Sequence, residues 1–360
     1  MEMTLGSTFL GYLLLSTKTK MLMNKNFYTL TLFFICFLLA SVNAQDTSVP
    51  KDSFWTTGAG IGLDFSQLFQ LNPKQGAGQN RLGFGGAINA FAKYKKDCLA
   101  WDNVGAWQFG VQRLGAGVLA QGTETSKIPF QKAIDQLRLG SKLGYQSSEN
   151  SKWFYAADFT FLSQLTSTYP GTDEYPGNFL TSLEDGIKRN SALFAPATIT
   201  LSLGMDYKPN DNFSLYLSPL GAKFIIVSDD DIAALGVHGN PVERDADGNI
   251  ISFENVDSQL GAVLRANFTD KFYNDRLAFT SGLTLYSNYL RNPQNIDVDW
   301  TNEFAIEIFK GLQLAVTVNI FYDDDVRVQI TDYDALGGVS GLGKRVSLTQ
   351  QLLIKYNLIF

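Results

Sequence analysis

The chain has 360 residues, 45% of them hydrophobic and 18% charged, and a formal net charge of −6. That acidity argues against nucleic acid, which rewards clustered Lys and Arg. A mean hydropathy of −0.03 argues against a bundle of membrane helices, each of which needs about 20 consecutive apolar residues.

One apolar stretch does occur, near the N-terminus, and it reads as a secretory signal peptide covering residues 1–44. Lys20 and Lys25 supply positive charge, Leu30 to Leu39 form the apolar run, and Ser41-Val42-Asn43-Ala44 offers small residues for cleavage. The run is too short to span a bilayer, and cleavage after Ala44 leaves Gln45 as the new N-terminus. Glu2 opens the segment before Met21, so Met21 or Met23 is an alternative start. Losing residues 1–44 removes three lysines and one glutamate, which takes the formal charge from −6 to −8. Cys36 leaves with this segment and Cys98 remains alone, so no intrachain disulfide can form. Residues 45–53 then form a short periplasmic segment before the folded part, 54–360.

From Lys51 onward the pattern has period two, the signature of strands with one apolar and one polar face. About twelve such segments begin near residues 54, 82, 101, 132, 152, 192, 213, 255, 276, 296, 312 and 345. In the sixth, Ile199, Leu201, Leu203, Met205 and Tyr207 oppose Thr198, Thr200, Ser202 and Asp206. In the eleventh, Leu312, Leu314, Val316, Val318, Ile320 and Tyr322 oppose Gln313, Thr317 and Asn319. In the last, Val346, Leu348, Leu352, Ile354, Tyr356, Leu358 and Phe360 oppose Ser347, Thr349, Gln351, Lys355 and Asn357.

The connections sort by parity. Those after even-numbered strands are short: 96–100, 147–151, 208–212, 269–275 and 310–311. Those after odd-numbered strands are mostly longer, above all 167–191, 229–254 and 323–344. An even strand number with one short-looped and one long-looped rim predicts an all-β fold: a closed antiparallel transmembrane β-barrel of about twelve strands, located in the cell outer membrane. Outer-membrane lipid is then its first partner.

That reading assigns roles to side chains. On the short-turn side Trp55, Tyr94, Trp101, Tyr145, Trp153, Tyr207, Phe213, Phe268 and Phe360 share the apolar facing, as an aromatic girdle at headgroup level requires. Arg138, Lys142, Asp158, Arg265, Glu303, Glu307 and Lys355 take the inward parity, which spares a cost of roughly 2–4 kcal/mol for a Lys or Arg at mid-bilayer. Arg113 and Lys223 are the outward exceptions and lie near the long-loop ends of their strands. Gly58, Gly60 and Gly62 on the first strand leave room inside or permit a bend, and no helix follows them to make a nucleotide loop.

The terminal run Tyr356-Asn357-Leu358-Ile359-Phe360 resembles the C-terminal signal read by the barrel assembly machinery, which would make that machinery a partner. Further in, Leu63-Asp64-Phe65-Ser66-Gln67, Ser141-Lys142-Leu143-Gly144-Tyr145, Leu193-Phe194-Ala195-Pro196-Ala197 and Gly204-Met205-Asp206-Tyr207-Lys208-Pro209-Asn210 stand in order. Leu217-Ser218-Pro219 and Val298-Asp299-Trp300 follow. In these motifs the chain resembles a family of Bacteroidota outer-membrane proteins described only as a domain of unknown function. The resemblance implies an outer-membrane barrel and carries over no catalytic residue.

Candidate chemistry is sparse. His238 is the only histidine and lies in a long loop, so neither a Ser-His-Asp arrangement in the wall nor a multi-His metal site can form. Glu303 and Glu307 share one inward face, a pattern that can do acid–base work or can pair with Arg138, Lys142 or Arg265. The runs Asp229-Asp230-Asp231 and Asp323-Asp324-Asp325 offer oxygen ligands for a cation. Asp245-Ala246-Asp247-Gly248-Asn249 resembles part of a calcium loop, but its glycine is misplaced and a bidentate Glu is missing, so it reads as a turn. No cofactor, metal or catalytic residue is expected. The first functional reading is a non-enzymatic, porin-like barrel for passage or surface binding of small solutes. The others are an outer-membrane enzyme using lumenal carboxylates and a secreted soluble β-sandwich.

Overall fold

The structure, a computed structural model, describes residues 54–359 apart from 73–80, 114–129, 173–177 and 333–338. The expected signal peptide, the alternative starts, residues 45–53 and Phe360 lie outside the described residues.

Twelve strands make the wall. They are β1 (Trp55–Leu71), β2 (Arg81–Lys96), β3 (Leu99–Arg113), β4 (Phe130–Gln146), β5 (Trp153–Ser163), β6 (Ala197–Asn210), β7 (Phe213–Ile226), β8 (Val256–Phe272), β9 (Leu277–Asn288), β10 (Ile296–Phe309), β11 (Leu312–Tyr322) and β12 (Ser347–Ile359). Each pairs antiparallel with its sequence neighbours, and β12 closes onto β1 through a ladder that includes Leu63↔Tyr356 and Phe65↔Ile354. A wall strand paired on both sides has no free edge, so neither a sandwich nor an open sheet describes this fold. No helix among the described residues is long and apolar enough to cross a membrane, and barrels cross with strands.

Alternation decides which side chains face out. On the outer face Leu63 is 63% exposed, Leu203 57% and Ile306 49%, with nothing packed over them. Burying such a side chain stabilises by about 1.5–3 kcal/mol, so a continuous belt left bare is a strong deficit in water.

Short turns close one rim. Asn210 Oδ1 accepts from the amides of Asn212 and Phe213 between β6 and β7, at 3.0 Å each. Gly311 takes φ 82° between β10 and β11, a conformation open to glycine without a Cβ penalty. At the other rim the β5–β6 and β7–β8 loops build a small core of their own. Ala192, Ala195, Val227, Ile232 and Ala233 are buried together with Phe253 against them. The β7–β8 loop holds a one-turn helix α1 (Asp230–Ala233) and a hairpin, Val242–Arg244 with Ile250–Phe253. Ala192 and Ala195 belong to this loop core, and the sixth strand begins at Ala197 rather than near 192.

Register shifts interrupt strict alternation in β4, β6, β7 and β10, and the one in β7 turns a charge. Across β6, Leu203 pairs with Leu220 and Met205 with Leu217; across β8, Gly261 pairs with Gly221 and Val263 with Ser218. Both ladders place one extra residue in β7 around Pro219, a β-bulge at a residue with no amide to give a ladder. Ser218 Oγ secures it by donating to the carbonyls of Leu203 at 2.7 Å or Leu220 at 2.8 Å. A Cβ on Gly204 would stand 2.1 Å from the Leu217 carbonyl oxygen, so the opposing position must be glycine. Beyond the bulge the faces exchange: Lys223 pairs with Thr200 and Gln259, both inward. Lys223 therefore points into the barrel, which corrects its outward assignment. The Arg113 side chain lies outside the described residues.

Candidate functional site

The lumen is where the polar faces of all twelve strands converge, and its two halves differ. On the β6–β9 side Asp206, Tyr216, Asp257, Val263 and Tyr286 are buried, and the exposed inward residues Asn267, Thr269 and Thr280 stand towards the short-turn rim. Tyr216 donates to Ser202 Oγ at 3.0 Å, and the Lys142 ammonium lies over its ring, 4.6 Å from the centroid. On the β2–β4 side, Asn89, Phe91, Lys93, Val104, Gln136 and Arg138 face inward and are exposed. An inward residue of a closed barrel can meet solvent only inside it, so this half encloses water.

The expected inward charges all face the lumen, with partners partly different from those anticipated. Lys142 pairs with Asp206 at 2.6 Å, and Lys208 bridges Asp206 at 3.5 Å and Asp102 at 3.8 Å. Arg265 pairs with Asp158. Glu303 pairs with Lys355 at 2.6 Å and accepts from Thr317 at 3.2 Å, rather than meeting Arg138, Lys142 or Arg265. Glu307 accepts from the Gly311 amide at 3.2 Å, which fastens the turn and separates its role from that of Glu303. Arg138, the middle residue of β4, has no carboxylate partner among the described residues.

Near the long-loop rim Lys223 lies 3.3 Å from Asp297 and 3.6 Å from Asp323, with Tyr286 under its ammonium. Asp297, Asp323 and Asp324 bring carboxylate oxygens within 4.8 Å of one another, a grouping that would suit a cation. Lys223 already supplies positive charge there, and Asn295 and Lys344 approach Asp324 at 2.6 and 3.6 Å. Sequence reasoning missed this cluster because the bulge hid Lys223. In the loop after β11, burial and the neighbouring Asp323 and Asp324 raise the Asp325 carboxyl above its usual range.

The other acidic run is absorbed by protein partners. Asp229 caps α1 and pairs with Arg189 at 2.6 Å, while Lys188 meets Asp231 at 2.6 Å. Asp245 Oδ1 accepts from the amides of Asp247 and Asn249 at 3.0 and 2.7 Å, which makes the turn of the loop hairpin. His238 bonds the Asn190 carbonyl at 2.8 Å inside the loop core. Burial pushes its imidazole below the usual value, against the raising effect of that bond.

On the outer face at the short-turn end, Trp55 lies 5.1 Å from Tyr94 and 5.7 Å from Trp101, and Trp153 lies 4.7 Å from Tyr207, between ring centroids. Tyr145 is exposed, and Phe213 pairs with Phe268 across the β7–β8 ladder. Phe268 continues the row through Phe279 at 5.9 Å to Phe304 at 4.5 Å. Phe279 and Phe304 were not singled out from sequence, although their outward parity was readable.

By sequence, a family described as a protein of unknown function (DUF3078) matches residues 66–169. Comparison with curated proteins gives no match. Among solved structures the chain is similar to the translocator domain of autotransporter NalP from Neisseria meningitidis, at 7% identity and TM-score 0.35, covering 90% of this chain and 94% of that one. It is similar to an outer membrane channel from Pseudomonas putida F1 at 14% identity and TM-score 0.34, covering 86% and 100%. It is also similar to an active-site mutant of outer membrane phospholipase A from Escherichia coli at 9% identity and TM-score 0.37, covering 87% and 94%. Likenesses this distant assign no activity.

Proposed function

We propose that this protein is a non-enzymatic outer-membrane barrel that passes small polar solutes through an off-centre, water-filled lumen. The carrying observation is the contrast between the two halves of the interior: a packed β6–β9 side against an exposed β2–β4 side. A belt of exposed apolar side chains around a closed wall supports lipid as the outer solvent, with the aromatic row at one interface. The signal-peptide pattern and the aromatic terminal strand support export and insertion by the barrel assembly machinery. Strands of 11 to 17 residues exceed the roughly 9–11 needed to cross, so their upper ends and the loop core stand outside the bilayer. Against an enzymatic role, Glu303 is committed to Lys355, Glu307 to a turn, and His238 to a loop carbonyl.

The test is planar-bilayer recording on folded protein, verified by altered migration on an unheated detergent gel. Discrete steps of conductance are expected. Folded, heat-modifiable protein that gives neither conductance nor solute flux into liposomes overturns the reading.

A further inference from the structure

We infer that the water-filled half of the lumen is an anion path in which Arg138 selects small carboxylates with an apolar body. This rests on the pore reading and adds to it the class of solute.

The first support is the distribution of charge. Lys142, Lys208, Lys223, Arg265 and Lys355 each stand within ion-pair distance of a carboxylate. Such pairs present little net field to a passing ion. Arg138 has no such partner among the described residues, and it is exposed on the open side of the interior. Lys93, also inward and exposed, has among the described residues the Phe91 ring beneath it at 5.6 Å and no ion pair; the neighbouring Asp102 is engaged by Lys208. The exposed inward carboxylates Asp299 and Glu307 accept from Asn319 at 2.9 Å and from the Gly311 amide at 3.2 Å, and both belong to β10, six strands around a twelve-strand wall from β4. A low-dielectric wall focuses the field of an uncompensated charge into the enclosed water, so the β2–β4 side attracts anions.

The second support is shape and polarity. Arg138 pairs with Ala106 on β3, and the adjacent rung joins Gly140, Val104, Phe91 and Gly58. Val104 and Phe91 are 47% and 38% exposed, so apolar surface faces lumenal water within two strands of the guanidinium, roughly 10 Å. The Phe91 ring leans over Gly58, where a Cβ would stand 2.6 Å from it, which holds the ring against the wall. The planar fork of Arg138 matches a carboxylate bidentately, and the Val104–Phe91 surface accepts an apolar body.

The experiment measures reversal potential across a KCl gradient for wild type, Arg138→Gln and Arg138→Glu, each confirmed folded by heat-modifiable migration. Anion preference is expected for wild type, reduced preference for Arg138→Gln, and cation preference for Arg138→Glu. Conducting channels whose reversal potential is the same in all three overturn the inference and leave the pore intact. Folded protein without conductance overturns the pore reading instead, and this inference with it. Benzoate, and not acetate, is expected to reduce chloride current, with several-fold weaker block in Val104→Thr. Equal block by both acids overturns the apolar part of the claim.

Discussion

At the scale of single residues, Lys223 shows how much one ammonium can organise. It spans from β7 to Asp297 on β10 and Asp323 in the loop beyond β11, with only 16% of its side chain exposed. Removing it leaves those carboxylates crowded and unmatched, which costs roughly 1–3 kcal/mol for buried groups that lose a charged partner. Lys223→Met should therefore lower the urea midpoint of the folded barrel in detergent, and adding Asp297→Leu should recover part of the loss. A double variant no more stable than the single one would show that the pair matters less than the geometry implies. Arg138 and Glu303 are legible in the sequence as inward charges because both stand clear of the bulges in β4, between Lys132 and Ile134, and in β10, between Glu307 and Phe309. Their partners are not, since alternation gives the facing of a side chain and says nothing of which strand it reaches.

At the scale of elements, alternation gives twelve strand positions within a few residues, because a closed wall with an apolar outer and a polar inner face demands it along most of its length. It fails where the backbone gains a residue. Pro219 cannot donate to a ladder, and the bulge around it inverts the facing of Leu220 to Ile226. A proline within a strand was the available signal. Apolar patterning puts the sixth strand five residues early for a different reason: Ala192 and Ala195 are apolar because they fill the loop core. That core carries a pH dependence. His238 is held neutral by burial, below the ordinary imidazole value of 6.5, while the unfolded loop would bind a proton more readily. A depressed imidazole contributes stability that is full above about 6.5 and is lost as pH falls from there towards the folded value. Protection factors of the Ala192 and Val227 amides, with the intrinsic pH dependence of exchange divided out, should be lower at about pH 5 than at about pH 7.5, and His238→Gln should flatten that difference. Protection factors that ignore pH in the wild type would refute the coupling.

At the scale of the whole molecule, the belt, the girdle and the lumen are three views of one alternation, and an asymmetric interior is what it could not foretell. Sequence assigns a residue to the inside without saying whether it meets another side chain or water there; the packed Tyr216 and the exposed Phe91 have the same parity and opposite surroundings. The closing seam has its own consequence. Gly60 lies opposite Ile359, so the wall is completed by partners separated by almost the full length of the chain. Nothing local can zip that junction, and the entropy of bringing such distant segments together is met only once the final segment exists. A chain stopped before Ser347 would leave β1 and β11 as two bare edges, each a template for a foreign strand. It should aggregate and run identically with and without boiling, and supplying Ser347–Phe360 as a separate peptide should restore compact migration. Insertion is thereby tied to completion: the protein can become a tube only after its last residues have arrived.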